Sequence, residues 1–165
     1  MIKTRHMILL LLLGLVAIQC LYYFPLLPRV MASHFDASGH PNGWSTKEVF
    51  FGLYVCILAL MIFGFFIVPR LLQAVPPSLI NLPNREYWLA PERKDQAMAM
   101  IADDMGWFGI AILMLLIATI QLAIQANLAG GGLLSDVMWL LLGGFVVFAI
   151  LWTVRLYRRF ALPPS

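Results

Sequence analysis

The chain has 165 residues, 62% of them hydrophobic and 12% charged, with a mean hydropathy of +0.88 and a formal net charge of +3. That is too apolar for a water-soluble domain, and it is enough chain for one compact membrane bundle occupying residues 1–165. The basic excess sits at the ends of apolar runs, where it reports topology, so it gives no footing for nucleic-acid binding.

Four apolar runs, 7–24, 49–68, 107–126 and 137–154, contain no Asp, Glu, Lys, Arg or His. A helix rises about 1.5 Å per residue, so roughly twenty such residues cross a hydrocarbon core about 30 Å thick. The expected fold is therefore all-α: an integral membrane four-helix bundle with an ordered outer loop and a short interfacial helix. Allowing for flanking residues, the spans are expected near 7–27, 48–68, 106–126 and 135–155.

The basic head of the chain, with Lys3, Arg5 and His6, has the look of a secretory leader. Against cleavage before Cys20, Gln19 is not small and the apolar run continues to Phe24, so an uncleaved first span is expected. Pro25 and Pro28 remove backbone donors and end it. Cys20 and Cys56 both fall within apolar runs and read as reduced packing residues.

The outer loop, 27–47, is dense in special residues. Gly39 and Gly43 can take positive φ, and Pro41-Asn42-Gly43 is a turn signal. Asp36 suits an Asx-type turn. Phe35 and Trp44 can hold the loop at the headgroup level. One reading is thus a lid whose polar groups satisfy its own backbone. The other is a ligand site using His34, Asp36, His40 and Trp44. Imidazole and carboxylate suit a divalent transition metal, and two histidines suit proton sensing. The spacing matches no closed zinc pattern, so no metal and no cofactor is assigned.

The second span is expected to close at Pro69. Pro76, Pro77 and Pro83 argue against regular helix beyond it. In the inner loop, 69–105, Tyr87 and Trp88 read either as an interfacial anchor or, with Arg85 and Arg93, as a surface for a cytoplasmic or membrane protein partner. From Glu92 a helical face recurs at Ala97, Met98, Ile101 and Met105, either as a separate interfacial helix or running into the third span. Asp103 and Asp104 can pair with Arg85 and Arg93. As neighbours on a helix they point about 100° apart and make a poor catalytic dyad.

Polar residues inside the spans are few: Gln19, Thr119, Gln121, Gln125 and Thr153. Gln121 and Gln125 share a helix face, for interhelical hydrogen bonds or for lining a ligand path. Residues 129–132 make the turn between the third and fourth spans.

Assigning basic residues to sides puts Lys3, Arg5, Arg70, Arg85, Arg93, Lys94, Arg155, Arg158 and Arg159 inside, leaving Arg29 and Lys47 outside. The bias predicts a multi-pass membrane protein with both termini in the cytoplasm.

The outer string from Leu27-Pro28 and Arg29 through His34-Phe35-Asp36, Gly39, Pro41-Asn42-Gly43-Trp44 and Lys47, set between two spans, resembles the bacterial membrane domain of unknown function found at the start of SdpI-type toxin immunity proteins. The inner string 84–93 resembles members of that wider group. The likeness covers about the first 110 residues. It implies an inner-membrane protein with an outward recognition loop, a sensor holding a cytoplasmic regulator at the membrane. The chain is shorter than the immunity protein, and its last two spans carry no matching motif.

Three functions compete. The first is a binding and signalling protein, with the outer loop taking an extracytoplasmic peptide or lipid and the inner loop reporting it. The second is an accessory structural subunit of a larger membrane complex, and the third is an enzyme using His34, Asp36 and His40. The absence of a P-loop, nucleophile elbow, HExxH or CxxC from the sequence weighs against the enzyme. Spans free of ionisable residues weigh against a transporter.

Overall fold

The computed structural model describes residues 4–161; Lys3, at the basic head, lies outside them. In chain order the elements are α1 (Thr4–Tyr23), β1 (Val30–Phe35), β2 (Pro41–Thr46), α2 (Lys47–Leu71), α3 (Arg85–Trp88), α4 (Lys94–Ala129) and α5 (Ser135–Ala161). Four of these, α1, α2, α4 and α5, are long and apolar enough to cross a membrane. The chain is an all-helical multi-pass membrane bundle with one small two-stranded sheet. In hydrocarbon each backbone amide needs a partner within its own segment, and a helix supplies it.

α4 is the central element. At 36 residues it is about 54 Å long, well beyond a bilayer core. The interfacial helix and the third span are therefore one helix, running straight through Gly106. α1, α2 and α5 all pack on α4. The main core gathers Val16, Tyr54, Leu58, Phe66, Leu113 and Ile124 from the first three spans. Phe65, Phe108, Phe145, Phe148 and Trp152 form a chain of ring contacts linking α2, α4 and α5.

Pro69 does not end α2. The helix widens into a π-turn at Phe63–Ile67 and continues to Leu71. Proline lacks an amide hydrogen and crowds the preceding turn, and a wider turn absorbs both defects. Gly109 of α4 sits against this turn, where an added Cβ would lie 2.6 Å from Phe65 Cβ.

The loop 27–47 is a β-hairpin, and its turn is not the one expected. Pro41, Asn42 and Gly43 lie in strand β2, and the chain reverses at 36–40. Gly39 takes the positive φ (+87°), whereas Gly43 does not. The strands pair from Val30–Thr46 to Phe35–Pro41, with Ser33 and Asn42 left out of register as bulges. Lys47, just past β2, donates to the carbonyls of Phe24 (2.9 Å) and Leu27 (3.2 Å), closing the end of α1.

At the opposite end of the bundle, Asp103 and Asp104 pair with Arg5 (2.8 Å) and Arg159 (2.6 Å), not with Arg85 and Arg93. Their divergence on the helix explains this: one carboxylate reaches α1 and the other α5. Gly106 makes room for Arg5, whose guanidinium an added Cβ would meet at 3.0 Å. α3 docks on the last turn of α5, where Trp88 Nε1 donates to the Phe160 carbonyl at 2.9 Å. Trp88, Leu89, Ala97, Met98 and Phe160 form a second small core there.

Candidate functional site

The hairpin turn is built by Asp36. Its Oδ1 accepts from the backbone amides of Ser38 (2.8 Å) and His40 (2.9 Å), as an Asx turn should. The backbone bond from His40, with further help from Ser38, Gly39 and the His40 ring, holds the Asp36 carboxyl below its ordinary value of 3.8. Gly39, with a φ of +87°, has its backbone against the α4–α5 turn. The Leu133 amide donates to the Gly39 carbonyl at 2.8 Å, and an added Cβ at Gly39 would run into the Leu133 carbonyl.

Two side chains fix the hairpin further. Asn127, near the end of α4, offers β1 a two-point match: its Oδ1 accepts from the Ala32 amide (2.7 Å) and its Nδ2 donates to the Ala32 carbonyl (2.9 Å). A side-chain amide here completes one rung of a sheet edge. Trp139 of α5 donates to the Ala37 carbonyl at 3.0 Å.

Beneath the hairpin these contacts enclose an open cavity of about 500 Å³. Phe35, Phe50, Ile120, Met138 and Trp139 supply apolar walls, and His34 and Asp36 supply polar groups. The Ser33 bulge lies immediately before His34, and a bulge re-aims the side chain that follows. His34 rests on Gly43, where an added Cβ would approach its ring nitrogen Nδ1 to 3.2 Å. Apolar walls with a few polar groups suit an amphipathic ligand.

Of the four hairpin candidates, His34 and Asp36 line the cavity. His40 lies across the turn, its side chain 78% exposed, with its ring 3.6 Å from the Asp36 carboxylate. Trp44 is 63% exposed and outside the lining. Among the described residues no three His, Cys, Asp or Glu side chains come together as a metal site would require, so His34 does not join Asp36 and His40.

Trp139 and Asn127 are the site residues that sequence reasoning passed over. A tryptophan near a span end reads as an ordinary interfacial anchor, and nothing nearby marks it out.

At the other end, the four inner candidates divide. Trp88 is 4% exposed, its surface covered by the chain itself. Arg93 stacks on the Tyr87 ring, its guanidinium carbon 4.2 Å from the centroid. Arg85 and Glu86 are exposed and, with Asn84 and Tyr87, line a shallow polar recess.

Gln121 does bridge helices, to Gln19 and Tyr23, while Gln125 is exposed.

Residues 9–58 match a family model described as a domain of unknown function, DUF1648. The match covers most of α1, the hairpin and the first half of α2. No curated protein and no solved structure matches the chain.

Proposed function

We propose that this is a small bacterial inner-membrane binding and sensing protein, without catalytic activity. The hairpin takes an extracytoplasmic peptide or lipid, and the loop 69–105 contacts a cytoplasmic or membrane partner. The single observation carrying this reading is the cavity of about 500 Å³ bounded by His34, Asp36 and Trp139. Its lining is mainly apolar with one imidazole and one carboxylate, which favours a ligand having an apolar body and a polar or cationic end. The resemblance to the SdpI-type immunity group favours a secreted peptide as that ligand. The nine-to-two bias of basic residues favours the hairpin facing outward.

On the inner side, Arg85 with the Arg93–Tyr87 stack is the surface we assign to the partner. Arginine beside an aromatic ring is a common interface anchor.

The test places a photo-crosslinking amino acid at Met138 and irradiates intact cells. An adduct of discrete mass, lost on His34→Ala with protein level unchanged, is expected. Adducts identical with and without His34 would refute the reading.

One observation favours the accessory-subunit alternative. No residue in the apolar window of α5 is buried, and an added Cβ at Gly143 or Gly144 would touch nothing within 4 Å. Under that reading a larger complex covers α5 and copurifies in fixed stoichiometry.

A further inference from the structure

Four polar side chains form a line through the bundle interior. The Tyr54 hydroxyl, on a residue 1% exposed, donates to Gln19 Oε1 at 2.9 Å. Gln19 Nε2 donates to Gln121 Oε1 at 2.8 Å and to the Ile117 carbonyl at 3.4 Å. Gln121 Nε2 donates to the Tyr23 hydroxyl oxygen at 3.0 Å.

The direction of this line is set by Ile117. Turning the Gln19 amide round would put two carbonyl oxygens face to face. It would also leave the buried Tyr54 hydroxyl hydrogen without an acceptor. Each donor is therefore met by the next group until Tyr23, whose hydroxyl hydrogen has no acceptor among the described residues. Accepting from Gln121 polarises the Tyr23 hydroxyl and strengthens it as a donor.

Tyr23 and Gln121 open onto a groove of about 510 Å³ between α1 and α4, whose other walls include Leu15, Ile18, Met114 and Ala118. Leu15, Ile18 and Met114 are exposed on the outside of the bundle, where acyl chains lie. Tyr23 is the last residue of a 20-residue helix about 30 Å long. It thus sits at the edge of the hydrocarbon, at the depth of lipid carbonyls.

We propose that this groove binds a long-chain lipid through one carbonyl oxygen, which accepts the Tyr23 hydroxyl hydrogen while the chain lies along Leu15, Ile18 and Met114. The occupant is a glycerolipid, whose ester carbonyls lie at the depth of Tyr23. This site is separate from the hairpin cavity and does not depend on it.

The test uses the full chain in detergent, given equal amounts of dioleoyl phosphatidylcholine and its diether analogue, which has the same chains and no carbonyls. Native mass spectrometry counts the lipid retained. Wild type is expected to keep the ester about fivefold over the ether, the value of one hydrogen bond. Tyr23→Phe, which loses only the hydroxyl, is expected to keep both equally.

A parallel arm adds ubiquinone. If it displaces the ester from wild type but not from Tyr23→Phe, the quinone is the occupant and the glycerolipid assignment is overturned. If wild type keeps ester and ether equally and ignores the quinone, the proposal falls. An ester preference that survives Tyr23→Phe overturns it too. The wild-type comparison stands alone should the variant fail to fold.

Discussion

Arg159, in the last turn of α5, meets Asp104 of α4 at 2.6 Å, and the Asp104 side chain is only 6% exposed. The contact joins the polar and ring contacts that tie α5 to the bundle. Arg159→Ala leaves that carboxylate buried without its partner. Breaking a fully buried pair costs about 3–5 kcal/mol, and partial exposure of Arg159 brings the expectation to about 2 kcal/mol. Asp104→Asn with Arg159→Gln should recover part of it. Thermal unfolding in detergent measures both.

Asn127 satisfies both backbone groups of Ala32, so Asn127→Ala should free the hairpin from α4. Two lost bonds, with a donor and an acceptor left behind, predict a cost of about 1–3 kcal/mol. Faster amide exchange at Ala32, with exchange at Leu113 unchanged, is the expected reading.

The glycines separate into two kinds. At Gly109 an added Cβ would stand 2.6 Å from Phe65 Cβ, and at Gly144 it would touch nothing within 4 Å. Gly109→Ala should therefore destabilise by about 1–3 kcal/mol. Gly144→Ala should be neutral or gain up to about 1 kcal/mol from helix propensity. Urea-induced loss of helical circular dichroism in micelles ranks them.

The Asp36 carboxyl is held below 3.8 by the His40 amide first. A carboxyl lowered on folding stabilises the hairpin above its unfolded value and loses that contribution as pH falls through its folded value. Amide protection at Ser38 and His40 should accordingly hold from neutral pH down to about 4 and fail below it. Asp36→Ala should expose both amides at all pH.

The spans were legible because hydrocarbon length and missing charge suffice to mark them: α2, α4 and α5 contain their runs whole, and α1 contains all of its own but Phe24. The Gln121 bridge was legible too, as an interhelical hydrogen bond, whereas Gln125 on the same face is exposed. Of the hairpin, the Asx turn at Asp36 was legible and the place of the reversal was not. Pro41-Asn42-Gly43 is a strong local turn signal, yet Asp36 collects two amides and the α4–α5 turn holds Gly39, which moves the reversal upstream. Nor could the partners of Asp103 and Asp104 be read locally, because they lie 98 and 55 residues away in the chain. Trp88 followed the same logic: its aromatic surface suited an anchor or a partner, and the end of α5 uses it instead.

The account depends on the hairpin and α3 facing opposite sides of the membrane. In a chain lacking Cys20 and Cys56, single cysteines at His40 and Arg85, both exposed, can be tested with a membrane-impermeant maleimide. Labelling of His40→Cys in intact cells, and of Arg85→Cys only after permeabilisation, is predicted. Labelling of both positions from the same side would contradict it.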